Sequence, residues 1–71
     1  MTRHFNVVVE RDSEGFFVAT VPSLPGCYTQ AQSLDQLMER VQEAIALYLE
    51  VEGDPASELD FVGVQRVAVE A

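Results

Sequence analysis

The sequence has few groups that could hold a polyanion. Lysine and tryptophan are absent, and four arginines stand against twelve acidic residues, which gives a net charge of -8. Nucleic acids and anionic membranes are bound by clusters of Lys and Arg, so we expect neither as a direct ligand. A basic protein partner fits this charge better, because opposite potentials steer encounter. The alternative is that the acidic surface serves solubility alone.

Cysteine and long apolar runs are also scarce. With Cys27 as the single cysteine, the chain cannot form an internal disulfide or a zinc site built on several thiolates. The N-terminal residues lack the apolar centre of a signal peptide, and no run approaches the ~20 residues of a membrane span. We therefore expect a cytoplasmic protein that does not enter a membrane.

The length of 71 residues predicts a single domain over 1–71, with room for one sheet and one or two helices. Residues 5–10 and 16–21 alternate β-branched and aromatic side chains around a polar turn that contains Gly15, which predicts an antiparallel hairpin. Residues 22–26 contain two prolines and a glycine, which break the strand pattern. Residues 27–31 then predict a short third strand.

A helix of about 19 residues is predicted to begin after Ser33, because Ser33 and Gln36 have the spacing of a capping box. Gly53 and Pro55 are typical of its end. Its predicted apolar face consists of residues at 3.6-residue spacing, namely Leu34, Leu37, Met38, Val41, Ala44, Ile45, Tyr48 and Leu49.

An acidic linker over 54–60 and a fourth strand over 61–69, with Gly63 as a bulge, complete the predicted order β-β-β-α-β. This order predicts an α+β, two-layer domain, with an antiparallel sheet covered by one helix on one face. The other face would carry Val8, Phe16 and Val18, which indicates a surface for self-association or for a partner. The alternative is that these are the scattered exposed apolar residues found on any protein surface.

Candidates for catalysis are few. His4 precedes the first strand and is typical of a solvated histidine, whereas Cys27 follows a Pro-Gly turn and is typical of a small buried residue. Asp12 and Glu14 lie where acidic residues often build a hairpin turn. No calcium loop or glycine-rich phosphate loop is present. We expect no enzymatic activity, no metal and no cofactor.

The polar side of the predicted helix carries an acidic stripe of Asp35, Glu39, Glu43 and Glu50. A solvated helix face and a docking surface for a basic protein both account for it.

The segment from Asp12 to Leu49 contains one distinctive run, Pro22-Ser23-Leu24-Pro25-Gly26-Cys27, followed by a serine that opens a helix. Around it lie Asp12, Gly15-Phe16, Ala19, Val21, Thr29, Ser33, Leu37, Glu43, Ala44 and Ile45. In these residues the chain resembles the HicB antitoxin family of the HicA–HicB toxin–antitoxin systems.

The resemblance implies a reduced ribonuclease H-like fold without that enzyme's metal-binding carboxylates. It also implies an antitoxin that covers the RNA-binding surface of a small basic, mRNA-cleaving HicA-type toxin. Many family members carry a further DNA-binding segment; none is expected here. We expect a homo-oligomer, a dimer or a tetramer. The expected contacts are Asp12, Glu14, Asp35, Glu39 and Glu43, beside the motif loop of Pro22, Leu24, Pro25, Gly26 and Cys27.

An alternative is a stand-alone HicB-like interaction domain with a different partner, or one that associates only with itself. A neighbouring gene for a short basic protein would favour the antitoxin.

Overall fold

The computed structural model describes residues 2–53 and 60–70 of the chain. Three strands, β1 (Val8–Arg11), β2 (Phe17–Thr20) and β3 (Tyr28–Ala31), form an antiparallel sheet in the order β1-β2-β3. Helix α1 (Leu34–Glu52) follows and covers one face of the sheet. The predicted α+β arrangement is confirmed, and each strand is shorter than the run of residues that predicted it.

The ends of α1 agree with the prediction. The Ser33 hydroxyl accepts a hydrogen bond from the backbone N–H of Gln36 at 3.2 Å, which satisfies one of the free donors of the first turn. At the other end, Gly53 has a φ of 75°, and its N–H donates to the carbonyl of Leu49 at 2.9 Å. That left-handed backbone suits glycine and stops the helix.

The core lies between α1 and strands β2 and β3. Ala19 of β2 pairs with Val9 of β1 and with Thr29 of β3, so these residues point to the same side of the sheet. The buried apolar residues are Ala19, Val21, Leu24, Cys27, Ala31, Leu37 and Val41. The helix therefore contributes only two fully buried side chains to this core.

Helix α1 is displaced toward β3. It packs on β2 and β3, whereas no Cα pair between α1 and β1, both fully described, lies within 8 Å. Two members of the predicted apolar face, Leu34 and Met38, are half exposed, and Met38 lines the space left beside β1. Val9 of β1, on the helix side of the sheet, is also 40% exposed.

The predicted fourth strand over 61–69, with its bulge at Gly63, is wrong for this structure. Residues 60–70 contain no helix or strand, and all of them are exposed. A strand needs hydrogen-bond partners along its backbone, and β-branched side chains alone do not supply them. The predicted order is therefore confirmed for the first four elements, β-β-β-α, and is wrong for the final strand. The predicted linker over 54–60 lies outside the described residues except for Asp60, and so does Pro55.

The sheet face away from α1 carries Val8, Phe16 and Val18, as predicted, and all three are half-buried. Tyr28 on β3 lies on the same side and is exposed. Among the described residues, no helix combines the length and the apolar character that crossing a membrane requires.

Candidate partner-binding surface

A row of acidic residues runs along α1 and consists of Asp35, Glu39, Glu43 and Glu50. It is here called the acidic ridge. All four side chains are exposed, and their positions on the helix place them opposite the buried Leu37. With a rise of 1.5 Å per residue, the ridge is about 22 Å long. The predicted stripe is therefore present and open to solvent along its whole length.

The ridge is electrostatically unfavourable for the helix that carries it. Asp35, Glu39 and Glu43 follow one another at i, i+4 spacing, where like charges repel. The last turn contains no basic residue and includes Glu50, although the helix C-terminus favours cations. Only Asp35, in the first turn, suits the helix dipole. A cationic partner would relieve this repulsion.

The one basic residue of α1 is directed elsewhere. The guanidinium of Arg40 donates from Nη1 to the backbone carbonyl of Gln30 at 2.8 Å and so ties the helix to β3. The sequence pattern does not indicate this contact, because the position of β3 beneath the helix depends on the tertiary fold.

Asp12 builds the turn between β1 and β2. Its Oδ1 accepts hydrogen bonds from the backbone N–H groups of Glu14 and Phe16, each at 2.9 Å, and its carbonyl accepts one from Gly15 at 3.1 Å. This is the turn-forming use of aspartate, in which the carboxylate replaces a backbone acceptor. Glu14 keeps its side chain exposed.

The turn and the beginning of α1 lie at the same end of the sheet. Phe17 pairs with both Arg11 and Ala31, and α1 begins three residues after Ala31. Glu14 and Asp35 therefore share that end, whereas Glu43 lies farther along the helix.

The motif loop is a pair of hydrogen-bonded turns that end inside the core. The N–H of Leu24 donates to the carbonyl of Val21 at 3.0 Å, and the N–H of Cys27 donates to the carbonyl of Leu24 at 2.9 Å. A third bond, from the N–H of Val21 to the carbonyl of Cys27 at 3.1 Å, closes the loop. All three residues are buried, and Leu24 is completely so.

The prolines and the glycine of this loop fit the turns. Pro22 and Pro25 occupy the second position of each turn, where their fixed φ is favoured. Gly26 has a φ of 81°, as the third position of a type II turn requires. The exposed motif residues, Pro22, Pro25 and Gly26, thus shape the turns, whereas the buried ones, Leu24 and Cys27, pack in the core. Turn geometry and packing together account for the residues of this loop.

Cys27 is buried, and burial raises the pKa of its thiol by desolvation. A thiol in this environment is less readily ionised, which suits a packing role. His4 is exposed, as predicted. Within residues 2–53 and 60–70, no three His, Cys, Asp or Glu side chains group in a way that could hold a metal ion.

A groove that sequence reasoning missed runs between the N-terminal residues and α1. It has a volume of about 490 Å³ and is lined mainly by apolar side chains: Phe5, Val7, Met38, Val41, Ile45, Ala46 and Leu49, with Arg3, His4 and Gln42 beside them. Its existence depends on the displacement of α1 away from β1, which no local pattern in the sequence indicates.

Comparisons with known proteins bear on the identity of this chain. The family described as HicB-like antitoxin of bacterial toxin-antitoxin systems matches residues 5–66. A UPF0150 protein of Archaeoglobus fulgidus is 58% identical over 65 residues, which covers 92% of this chain and 93% of the relative. UPF0150 proteins of Synechocystis and Helicobacter pylori are 40% and 45% identical, over 94% and 90% of this chain and 96% and 85% of their own lengths. The chain, with its three-stranded sheet, covering helix and motif loop, belongs to the HicB-like antitoxin family.

Proposed function

We propose that this protein is an antitoxin that binds a small basic HicA-type, mRNA-cleaving toxin and covers the toxin's RNA-binding surface. Family membership supports an antitoxin role in general. The observation that supports the finer statement is the acidic ridge, which exposes four carboxylates on the side of α1 away from the core.

The chemistry of the expected partner matches the ridge. A protein that cleaves RNA must present cations to the phosphates, and those cations can be occupied by carboxylates instead. Asp35, Glu39 and Glu43 supply a row of such groups. Glu14 extends the acidic surface at the end where α1 begins, and Asp12 contributes the carboxylate oxygen that the turn does not use.

The proposed mode of action is binding without catalysis, in the cytoplasm. Among the residues that could carry chemistry, Asp12 uses one oxygen to hold a turn and Cys27 is buried with a raised thiol pKa. The toxin would thus be inhibited by exclusion of its RNA.

The test compares two triple charge reversals that change the net charge equally. Asp35→Lys, Glu39→Lys and Glu43→Lys together remove the ridge. The matched control reverses three exposed acidic residues outside the ridge, namely Glu10, Asp60 and Glu70. Both proteins are titrated with a purified HicA-type toxin at low and high salt, and RNA cleavage is followed in parallel.

The ridge variant should bind about a hundredfold more weakly, since each reversed contact costs about 1 kcal/mol and the three costs add up. The control should lose much less. Native association should slow as salt rises. Equal losses in both variants would show that only net charge matters, and failure of the native protein to bind or inhibit the toxin would refute the proposal.

A further inference from the structure

The outer edge of β3 has no neighbouring strand. In the order β1-β2-β3, β3 bonds on one side to β2, and within the part of the chain that the structure describes no strand lies on its other side. A strand at such an edge presents unpaired N–H and C=O groups, which a strand of another molecule can bind. Proteins close these edges with charged side chains or with a covering element. Helix α1, which packs on β3, is placed to supply both.

The register determines which backbone groups of β3 point outward. The N–H of Val21 donates to the carbonyl of Cys27 at 3.1 Å, and these residues face each other when the register of β2 and β3 is continued by one position. Along an antiparallel strand, residues that bond to the neighbouring strand alternate with residues whose N–H and C=O point away from it. Cys27 and Thr29 therefore face β2, whereas Tyr28 and Gln30 direct both backbone groups to the outer edge.

Arg40 occupies one of these outward groups. Its Nη1 donates to the carbonyl of Gln30 at 2.8 Å. Hydrogen bonds from a charged donor are stronger than those between neutral groups. A strand that approached this edge would therefore compete with the guanidinium for the Gln30 carbonyl. Because Arg40 is itself exposed, its side chain lies at the surface where such a strand would arrive.

The proposed antitoxin function does not account for Arg40. It is the one basic residue of α1, next to Glu39 and within one helical turn of Glu43 on the acidic ridge. A cation at this position opposes the approach of a basic toxin. The contact with the β3 backbone therefore indicates a separate role for this side chain.

We infer that Arg40 guards the outer edge of β3, so that a second copy of this chain does not extend the sheet there. The register defines the pairing that Arg40 prevents. About a two-fold axis at Thr29, Tyr28 of one copy would face Gln30 of the other, and each of the two facing pairs would exchange two backbone hydrogen bonds. One acceptor in each pair is the Gln30 carbonyl, which Arg40 already occupies.

The experiment removes the guanidinium from the full chain and follows the edge. Arg40→Met keeps a long side chain without donors, and Arg40→Ala repeats the change with the strongest helix former. The control, Arg66→Met, removes the same charge from an exposed residue outside the sheet. Sedimentation velocity gives the mass over a range of concentrations at high salt, which screens the repulsion between acidic copies. Hydrogen exchange measures the protection of the Tyr28 and Gln30 amides.

A second substitution tests the pairing itself. Gln30→Pro removes an outward N–H that the ladder with β2 does not use, and proline is tolerated at such edge positions. Added to Arg40→Met, it should abolish the new association and leave the sheet and α1 intact, which circular dichroism checks.

Both Arg40 variants should self-associate about a hundredfold more tightly than the native chain, a factor of about ten for each freed Gln30 carbonyl. The amides of Tyr28 and Gln30 should become protected, and Arg66→Met should behave as the native chain. Equal mass and equal exchange in the native chain and both Arg40 variants would overturn the inference. So would a gain in mass that Arg66→Met shares, that leaves the two amides unprotected, or that persists with Gln30→Pro.

Discussion

The substitution Leu24→Ala tests the packing role of the motif loop most directly. Leu24 is fully buried and is among the largest side chains in the core, although it belongs to a loop. Leu→Ala changes in cores cost about 2–5 kcal/mol, and the cost is highest where the surroundings cannot relax into the cavity. Two backbone hydrogen bonds hold Leu24 itself, and a third bond between Val21 and Cys27, together with two prolines, fixes the loop around it. We therefore expect a loss of at least ~3 kcal/mol.

That loss is large for a chain of 71 residues, whose total stability is roughly 4–11 kcal/mol. The measurement is urea unfolding followed by circular dichroism, at one fixed protein concentration. The matched control is Leu47→Ala, which makes the same chemical change at a residue that is 60% exposed and should alter stability by no more than about 0.5 kcal/mol. If Leu24→Ala cost less than ~1 kcal/mol, the loop would not be part of the core, and a contact role for the motif would be favoured instead.

Two further substitutions can be measured by the same urea titration. Gly26→Ala should cost about 1–2 kcal/mol because of the φ of 81° at Gly26, and a clash adds nothing, since no atom lies within 4 Å of the added Cβ. Gly63→Ala is the control, with equal space and no positive φ, and should be nearly neutral. Equal losses of stability at both sites would contradict the turn assignment. Ser33→Ala should cost about 1 kcal/mol through loss of the helix cap, whereas Ser33→Asp should keep most of the stability. A fully stable Ser33→Ala variant would show that the 3.2 Å hydrogen bond from Gln36 is energetically unimportant.

The elements that local chemistry specifies could be predicted from the sequence. The Gly15 turn between two alternating runs identified the hairpin, and Ser33 with Gly53 identified both ends of α1. The burial of Ala19 and Val21 followed from strand alternation. Each of these features depends on residues within a few positions of one another.

Features that depend on distant contacts could not be predicted in this way. The run over 61–69 has the composition of a strand, but whether it forms one depends on which backbone lies beside it. The exposure of Met38 and the groove beneath it follow from the lateral position of α1, which the periodicity of the helix does not determine. The acidic ridge was predictable as a set of residues, whereas its docking role stays a prediction.

The construction of the motif loop also has a consequence for engineering this domain. Hairpin connections are usually the sites where a chain tolerates an inserted tag, a proteolytic cut or a new terminus. Here the connection between β2 and β3 delivers Leu24 to the interior, so a graft there would remove part of the core along with the loop. At the turn of residues 12–15 every residue is exposed, so a label there would leave the core intact, but it would stand beside the proposed contacts Asp12 and Glu14.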